Sequence, residues 1–279
     1  MGKVIAVCTS DRKGIQKKDV STAHFSAEWG IDGDAHAGKW HRQISLLSAD
    51  KIEAFNKRGA NVIPGAFGEN LVVEGFDFRA LPVGTLLRCN DVLLEMTQIG
   101  KECHSHCEIY KKMGECIMPR EGVFARVLEP GTISVGDEMT IVPREGHFPW
   151  QAAVITLSDK GAAGERKDES GPAIAKRLRD AGYEVVEEVL IPDDERVLKQ
   201  QLMRLCDQRQ LDLILTTGGT GGAAQGEMFA AADKPAPGIA ASAIRGKTLI
   251  IDLQDSPEEH MGALMDAIPQ VMESLRNGR

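Results

Sequence analysis

The chain has 279 residues, 42% hydrophobic and 27% charged, with a formal net charge of −8. That composition fits a soluble globular protein long enough for two domains. It excludes a membrane span, since no run approaches the roughly 18 apolar residues required, and it lacks the clustered Lys and Arg of a nucleic-acid footprint.

The opening residues, MGKVIAVCTSDRKG, carry too short an apolar run for a signal peptide. Residues 3–8 read instead as a first strand. Residues 11–43 read as loop-rich, punctuated by Gly30, Gly33 and Gly38. A strand at 44–47, a helix at 49–58 and a strand at 70–74 follow. TLLRC and VLLEMT flank Asn90-Asp91, a two-residue hairpin turn whose members tolerate positive φ. Strands at 132–134 and 138–142 flank Gly136-Asp137 as a second hairpin. Closely spaced short strands of this kind predict a β-rich, barrel-like domain.

The chemistry-bearing residues gather in this half. Five of the six Cys and six of the seven His precede residue 150. With no leader sequence, the cysteines are expected to be reduced thiols in the cytoplasm. Cys103 follows the strand-like run 92–96, with Lys101 before it and His104 and His106 after it. A thiol at a strand-to-loop junction beside cationic groups can act as a thiolate nucleophile or metal ligand; the alternative is a buried, inert Cys. Cys103, Cys107 and Cys116 with His104 or His106 could also hold zinc or an iron cluster, although their spacing is not that of a zinc finger.

GDAHAGKWHRQISLLS, PGAFGENL, LPVGTLLRCNDVLLEMTQIGKEC and GVFARVLEPGTISVGD occur in the order found in MOSC domains, and residues 1–144 resemble that family. These are the β-barrels of molybdenum-cofactor sulfurases, YiiM-type proteins and amidoxime-reducing enzymes. The resemblance implies that Cys103 carries a sulfur or ligates molybdenum. A soft dithiolene-bound metal suits a thiolate, and a pterin phosphate suits a bidentate Arg. Arg126 and Asn70 lie on family motifs and are expected to contact the cofactor, with Asp34 and His36 as further candidates. For Asp34 and His36 the alternative is turn stabilisation, and for Arg126 an ion pair.

Residues 145–150, within PREGHFPW, read as a linker. Beyond it, strands and helices alternate. QAAVITL is a strand. Ser170 is expected to cap a helix over 171–181, with Pro172 in its first turn and Gly182 at its stop. YEVVEEVLI is a strand, and Asp193 or Asp194 caps a helix bearing Val197, Leu198, Leu202 and Leu205. LDLILTT and KTLIIDL are buried strands, and a final helix runs from Ser256-Pro257 to Leu275, with Pro269 as a kink. This alternation predicts a three-layer α/β domain over 151–279. Ligands bind such sheets at the carboxyl ends of the strands. Four loops meet that rule: Ser158-Asp159; Asp168, Ser170 and Gly171; Asp193-Asp194; and Gly218, Gly219, Thr220 and Gly221, whose glycines would let backbone N–H groups approach a phosphate.

ITLSDKGAAGERKDESGP, LIPDDERVL, LDLILTTGGTG and IRGKTLIIDLQDSP resemble the MogA/MoaB-type molybdopterin-binding domain, also found in gephyrin. The resemblance implies pterin binding and, in active members, transfer of AMP from Mg-ATP to the pterin phosphate, with a functional acid at Asp193. Two departures count against full activity. Gly226 stands where active members carry a carboxylate, with Glu227 shifted by one, and a segment before the last strand is missing. The expected function is binding of the molybdenum cofactor in its biosynthesis, sulfuration or delivery, with Cys103 as sulfur carrier or molybdenum ligand. A non-catalytic carrier, a small oxotransferase and a weak adenylyltransferase are the alternatives. The resemblance further implies a cysteine desulfurase and an acceptor molybdoenzyme as partners, and a homo-oligomer, most simply a trimer.

Overall fold

The computed structural model describes residues 1–101, 103, 107–146, 148–219, 226, 230–236, 239, 241–253 and 257–277, with the side chains of the last helix described from 264 to 275. They form two compact units, Met1–Glu145 and Gly146–Arg279.

The first unit is a closed barrel. Its strands are β1 (Gly2–Thr9), β2 (Lys18–Asp19), β3 (Thr22–Ser26), β4 (Gly30–Ile31), β5 (Ile44–Ser48), β6 (Leu71–Glu74), β7 (Leu86–Cys89), β8 (Val92–Ile99), β9 (Val123–Glu129), β10 (Gly131–Ser134) and β11 (Glu138–Val142). Seven of them run in the order β11-β7-β8-β9-β5-β6-β1, and pairing of β11 with β1 closes the ring. Closure removes the free edges that an open sheet would expose. Alternate side chains of these strands fill the interior, among them Val4, Leu46, Leu71, Leu87, Leu94, Met96, Ala125 and Met139. The opposite faces of β1, β5, β6 and β9 present Ala6, Cys8, Leu47, Val72 and Phe124. These are covered by Ile52 and Phe55 of α1 (Ala49–Lys57), by Ile109 and Met113 of α2 (Glu108–Met113), and by Met118 of α3 (Met118–Glu121). Each fully buried large apolar side chain is worth about 1.5–3 kcal/mol, so Phe55 and Met118 anchor α1 and α3, while α2 rests on this layer through partly buried side chains alone.

Asn90 takes φ 52°, and the hairpin of β7 and β8 forms around it as expected. Residues 11–43, read as loop-rich, also contain β2, β3 and β4, short strands that alternation does not reveal. One expectation fails. Residues 131–142 do not form a hairpin: β10 pairs with β3, while β11 bridges β7 and β1. Gly136-Asp137 therefore carries the chain from one sheet to another. The β9 strand, inside a motif read only for its Arg, was likewise missed.

The second unit is a three-layer α/β fold. It comprises β12 (Gln151–Leu157), α4 (Asp159–Ala162), α5 (Ser170–Asp180), β13 (Glu184–Ile191), α6 (Glu195–Met203), β14 (Leu213–Gly218), β15 (Lys234–Pro235), β16 (Ser242–Arg245), β17 (Thr248–Asp252) and α7 (Pro257–Asn277). A π-helical turn, Arg204–Gln208, extends α6. The sheet order is β13-β12-β14-β17-β16-β15; the first four strands are parallel, β16 pairs antiparallel with β17, and β15 pairs antiparallel with β16. Ile174 and Leu178 of α5 and Ile268 and Met272 of α7 cover one face. Leu198 and Leu202 of α6, with Leu205, cover the other. Pro269 lies within α7. The expected Ser170 cap is corrected: Ser170 is already helical, and Asp168 Oδ1 accepts the Gly171 N–H instead. Of the two aspartates before α6, Asp194 is the cap, accepting from the N–H groups of Arg196 and Val197.

Candidate functional site

The second unit gathers its predicted residues into one cleft of about 430 Å³ at the carboxyl ends of β12, β13 and β14. Ser158, Asp159, Asp168, Ser170, Asp193, Gly218 and Gly219 all line it. Ser158 Oγ accepts the Gly161 N–H at 3.1 Å, which starts α4, and Asp159 Oδ1 accepts the Asp193 N–H at 3.0 Å, which ties the β12 loop to the β13 loop. Gly218 and Gly219 have φ of 80° and 82°. A Cβ on Gly218 would lie 2.5 Å from the Leu157 carbonyl oxygen, and one on Gly219 would lie 3.0 Å from Asp193 Oδ1. Glycine is therefore required at this turn both for its backbone angle and for the space. Gly171 does not line the cleft but lies buried beside it, where a Cβ would stand 2.5 Å from both Asp168 Oδ2 and Thr156 Oγ1. Thr220, Gly221 and Glu227 lie outside the described residues; Gly226 is exposed.

Lys160, Arg166 and Lys167 also line the cleft, and sequence reading passed over them. Their signal was available in KGAAGERKDESGP, where three cations interrupt the acidic run between two loops already chosen. The wall thus offers a glycine turn, hydroxyls, three cations and the carboxylates of Asp159, Asp168 and Asp193. Cations with close-approach backbone suit a phosphate-bearing ligand. The carboxylates suit ring N–H and amino donors, the polar edge of a pterin.

The first unit presents its groups differently. Cys103 and Cys107 are exposed and Cys116 is half-buried. Burial is the main cause raising the Cys116 thiol above its usual range; the Met118 N–H opposes it, and the nearby Cys107 and Cys103 sulfurs add to it. Cys8, Cys89 and Cys206 are buried and pushed up to about 12, chiefly by burial, which leaves them as inert thiols. Among the described residues no group of three His, Cys, Asp or Glu side chains is arranged to hold a metal. His104 and His106, the other members of the expected zinc or iron set, lie outside the described residues.

Asp34, His36, Asn70 and Arg126 occupy the interior or its edge. Asp34 is 7% exposed and holds Lys17 Nζ at 2.5 Å, while accepting the N–H groups of Ser10 and His36. His36 Nδ1 lies 3.3 Å from Lys17 Nζ. Asn70, 1% exposed, donates through Nδ2 to the Cys8 carbonyl and accepts at Oδ1 from the Ser45 N–H and Oγ, linking β1 and β5 to the start of β6. Arg126 Nε donates to Glu95 Oε2 at 2.6 Å, and Arg144 holds the other oxygen at 2.9 Å. The ion-pair alternative for Arg126 is thus present, but its carboxylate is buried rather than superficial. Lys17, Glu69 and Glu95 were not anticipated, because a lone buried charge leaves no periodic signature. Glu69 is fully buried and pushed up to about 7 by burial, against the Gly65 and Phe67 N–H groups that bond its two oxygens.

Residues 33–140 match the MOSC domain family, and residues 153–233 match the family described as "Probable molybdopterin binding domain". The chain joins a MOSC domain to a MogA/MoaB-like domain. The MogA/MoaB-like domain is similar to three proteins called molybdopterin adenylyltransferase. Identity is 40% over 78 residues with that of Pyrococcus furiosus (28% of this chain, 45% of the relative). It is 28% over 150 residues with that of Helicobacter pylori (44% and 85%). It is 35% over 93 residues with that of Escherichia coli (31% and 47%). The chain thus spans about half the length of two of these three. Among solved structures, MoaB from Thermus thermophilus superposes with TM-score 0.39 and 28% identity, over 44% of this chain and 97% of that one. YiiM from Geobacillus stearothermophilus does so with TM-score 0.41 and 19% identity, over 52% and 76%.

Proposed function

We propose that this protein serves molybdenum-cofactor biosynthesis, binding molybdopterin in the cleft of the MogA/MoaB-like domain and using Cys103 of the MOSC domain as the sulfur-carrying or metal-ligating thiol. The observation that carries the reading is the cleft itself. The Gly218-Gly219 turn, the Ser158 loop and three cations converge at strand ends within a domain whose family is described by its pterin ligand. A bound molybdopterin would place its phosphate against Gly218, Gly219, Lys160, Arg166 and Lys167 and its polar ring edge toward Asp159 and Asp168. The cofactor would supply the soft dithiolene-bound metal; Cys103 would supply an exposed thiolate, which such a metal accepts as a single protein ligand.

Adenylylation is weak in this reading. Gly226 replaces the carboxylate that helps to position Mg²⁺ and the ATP phosphates, and Glu227, the next residue in the sequence, is the candidate to substitute for it. Pyrophosphate release dependent on ATP and molybdopterin at ordinary enzyme rates would contradict this. If release occurs and Glu227→Gln abolishes it, the site has been rebuilt around Glu227.

The deciding test is anaerobic purification from a molybdate-supplemented, cofactor-competent host, with metal content and oxidised-pterin fluorescence measured for wild type and Cys103→Ala. Pterin in both, with molybdenum lost only from the variant, supports the two-site reading. Pterin and metal at equal levels in both favours a carrier without thiol chemistry. Absence of pterin from both overturns the proposal.

A further inference from the structure

Cys107 has no part in the proposed function, yet it is the second exposed thiol of the molecule, four residues from Cys103. Described residues before Cys103 and from Cys107 onward are anchored to the barrel and its outer layer. Gly100 donates its N–H to the Gly122 carbonyl at 2.7 Å and accepts from Gln98 Nε2 through its own carbonyl. Cys107 opens α2, its carbonyl accepting the Lys111 N–H at 3.0 Å. The helix is held in turn by Ile109 and Met113 in the outer apolar layer. Five residues span at most about 17 Å even when extended, so both sulfurs stay within one short arc of chain. Cys116, the third thiol of the neighbourhood, packs against the same apolar layer and is less free to move.

We propose that Cys107 is the resolving thiol for Cys103, the two forming a reversible disulfide that discharges sulfur from Cys103. This rests on Cys103 being a sulfur carrier. When Cys103 bears an outer sulfur, the Cys107 thiolate attacks the inner, Cys103 sulfur. The Cys103–Cys107 bond forms as the inner–outer S–S bond breaks, and the outer sulfur leaves as hydrosulfide, protonated by the proton that Cys107 gave up. The outer sulfur is reduced and the Cys107 sulfur is oxidised, while the Cys103 sulfur keeps the oxidation level it already had when it bore the outer sulfur, so no external oxidant enters. With glutathione disulfide the same pair reacts in two exchanges. Cys103 first takes one glutathionyl group and releases one thiol; Cys107 then displaces the second. An accessible thiol with a neighbouring resolving Cys is the general arrangement for such chemistry. The device would empty the carrier when no acceptor takes its sulfur.

The test uses the full chain, wild type and the Cys107→Ser and Cys116→Ser variants, reduced and then treated with inorganic polysulfide. In wild type, about one sulfide per chain is released after excess reagent is removed, the mass falls about 2 Da below the reduced chain, and peptide mapping finds Cys103 joined to Cys107. In Cys107→Ser the adduct of about 32 Da persists at least about tenfold longer, while Cys116→Ser behaves as wild type. Equal adduct lifetimes in wild type and Cys107→Ser overturn the proposal, as does a disulfide to Cys116 in place of Cys107. If no adduct forms on Cys103 in any chain, the sulfur-carrier reading fails instead. Glutathione disulfide then tests the pair by itself: a Cys103–Cys107 disulfide supports pairing, and a glutathione adduct on Cys103 that persists equally in wild type and Cys107→Ser refutes it.

Discussion

Replacing Lys17 by Met should destabilise the barrel by about 3–5 kcal/mol at neutral pH. Lys17 Nζ and Asp34 Oδ2 lie 2.5 Å apart, each side chain 1% exposed. At an effective dielectric near 20, charges this close attract by about 7 kcal/mol, and removal of the ammonium also removes its own desolvation cost. Met keeps the length of the stem, so no large cavity opens. What remains is an Asp34 carboxylate bonded by the Ser10 and His36 N–H groups and by the His36 ring, 3.5 Å away, with no ammonium beside it. The assay is urea unfolding followed by tryptophan fluorescence in a Trp150→Phe background, where Trp29 and Trp40 report the first unit alone. With a slope of about 2 kcal/mol per molar urea, the midpoint should fall by about 2 M. The pH dependence tests the cause. Burial works to raise the Asp34 pKa, but hydrogen bonds from His36 and Lys17, and then the Lys17 charge, hold it well below the usual range. Stabilisation from such a depressed acid is present above the unfolded pKa of 3.8 and lost as pH falls toward the folded value. In the variant the carboxyl loses its counter-charge and titrates higher, and a neutral acid needs no partner. The gap between the two proteins should therefore narrow from pH 7 to about pH 4. A gap under about 0.5 kcal/mol at pH 7, or one that does not narrow, would refute the orphaned-carboxylate reasoning.

Gly218→Ala forces a Cβ against the Leu157 carbonyl at a positive φ, so pterin binding measured by fluorescence should weaken by at least about tenfold, while Gly226→Ala, with nothing within 4 Å, should bind as wild type. The paired substitution Arg166→Ala/Lys167→Ala should weaken binding of the phosphorylated pterin by about tenfold at low salt and by less at high salt, since exposed charges are screened; calorimetry at two ionic strengths reads this. Native-state alkylation with mass mapping should label Cys103 and Cys107 first, Cys116 slowly, and Cys8, Cys89 and Cys206 only on unfolding; rapid labelling of Cys8 would contradict the packing of the outer layer.

The sheet-forming apolar runs, the α/β alternation and the loops at strand ends were legible because each depends on local pattern. QAAVITL, LDLILTT and the Gly218-Gly219 turn announce a buried parallel strand and a glycine-demanding bend within a few residues. What was not legible depends on partners distant in sequence. Nothing near Asp34 in the sequence announces its bond to Lys17, and nothing near Asn70 announces its bonds to Cys8 and Ser45. The polar β3 pairs with β10 across more than a hundred residues, so neither strand shows its role alone. Ser170 and Asp168 compete for one helix start, and the hydrogen bond from the Gly171 N–H to Asp168 Oδ1 decides between them.

The pairing of β11 with β1 joins residues 138–139 to residues 2–3. A ribosome must therefore deliver almost the whole first unit before its ring can close, and until then β1 waits without one of its neighbours. Contacts this remote in sequence slow folding and prolong the exposure of unpaired strands. By the time β11 emerges from the exit tunnel, the strands of the second unit are already being synthesised. Barrel closure and growth of the α/β sheet thus overlap in time, so a translational pause would help the ring to close only if it fell within the second unit, after β11 has cleared the tunnel.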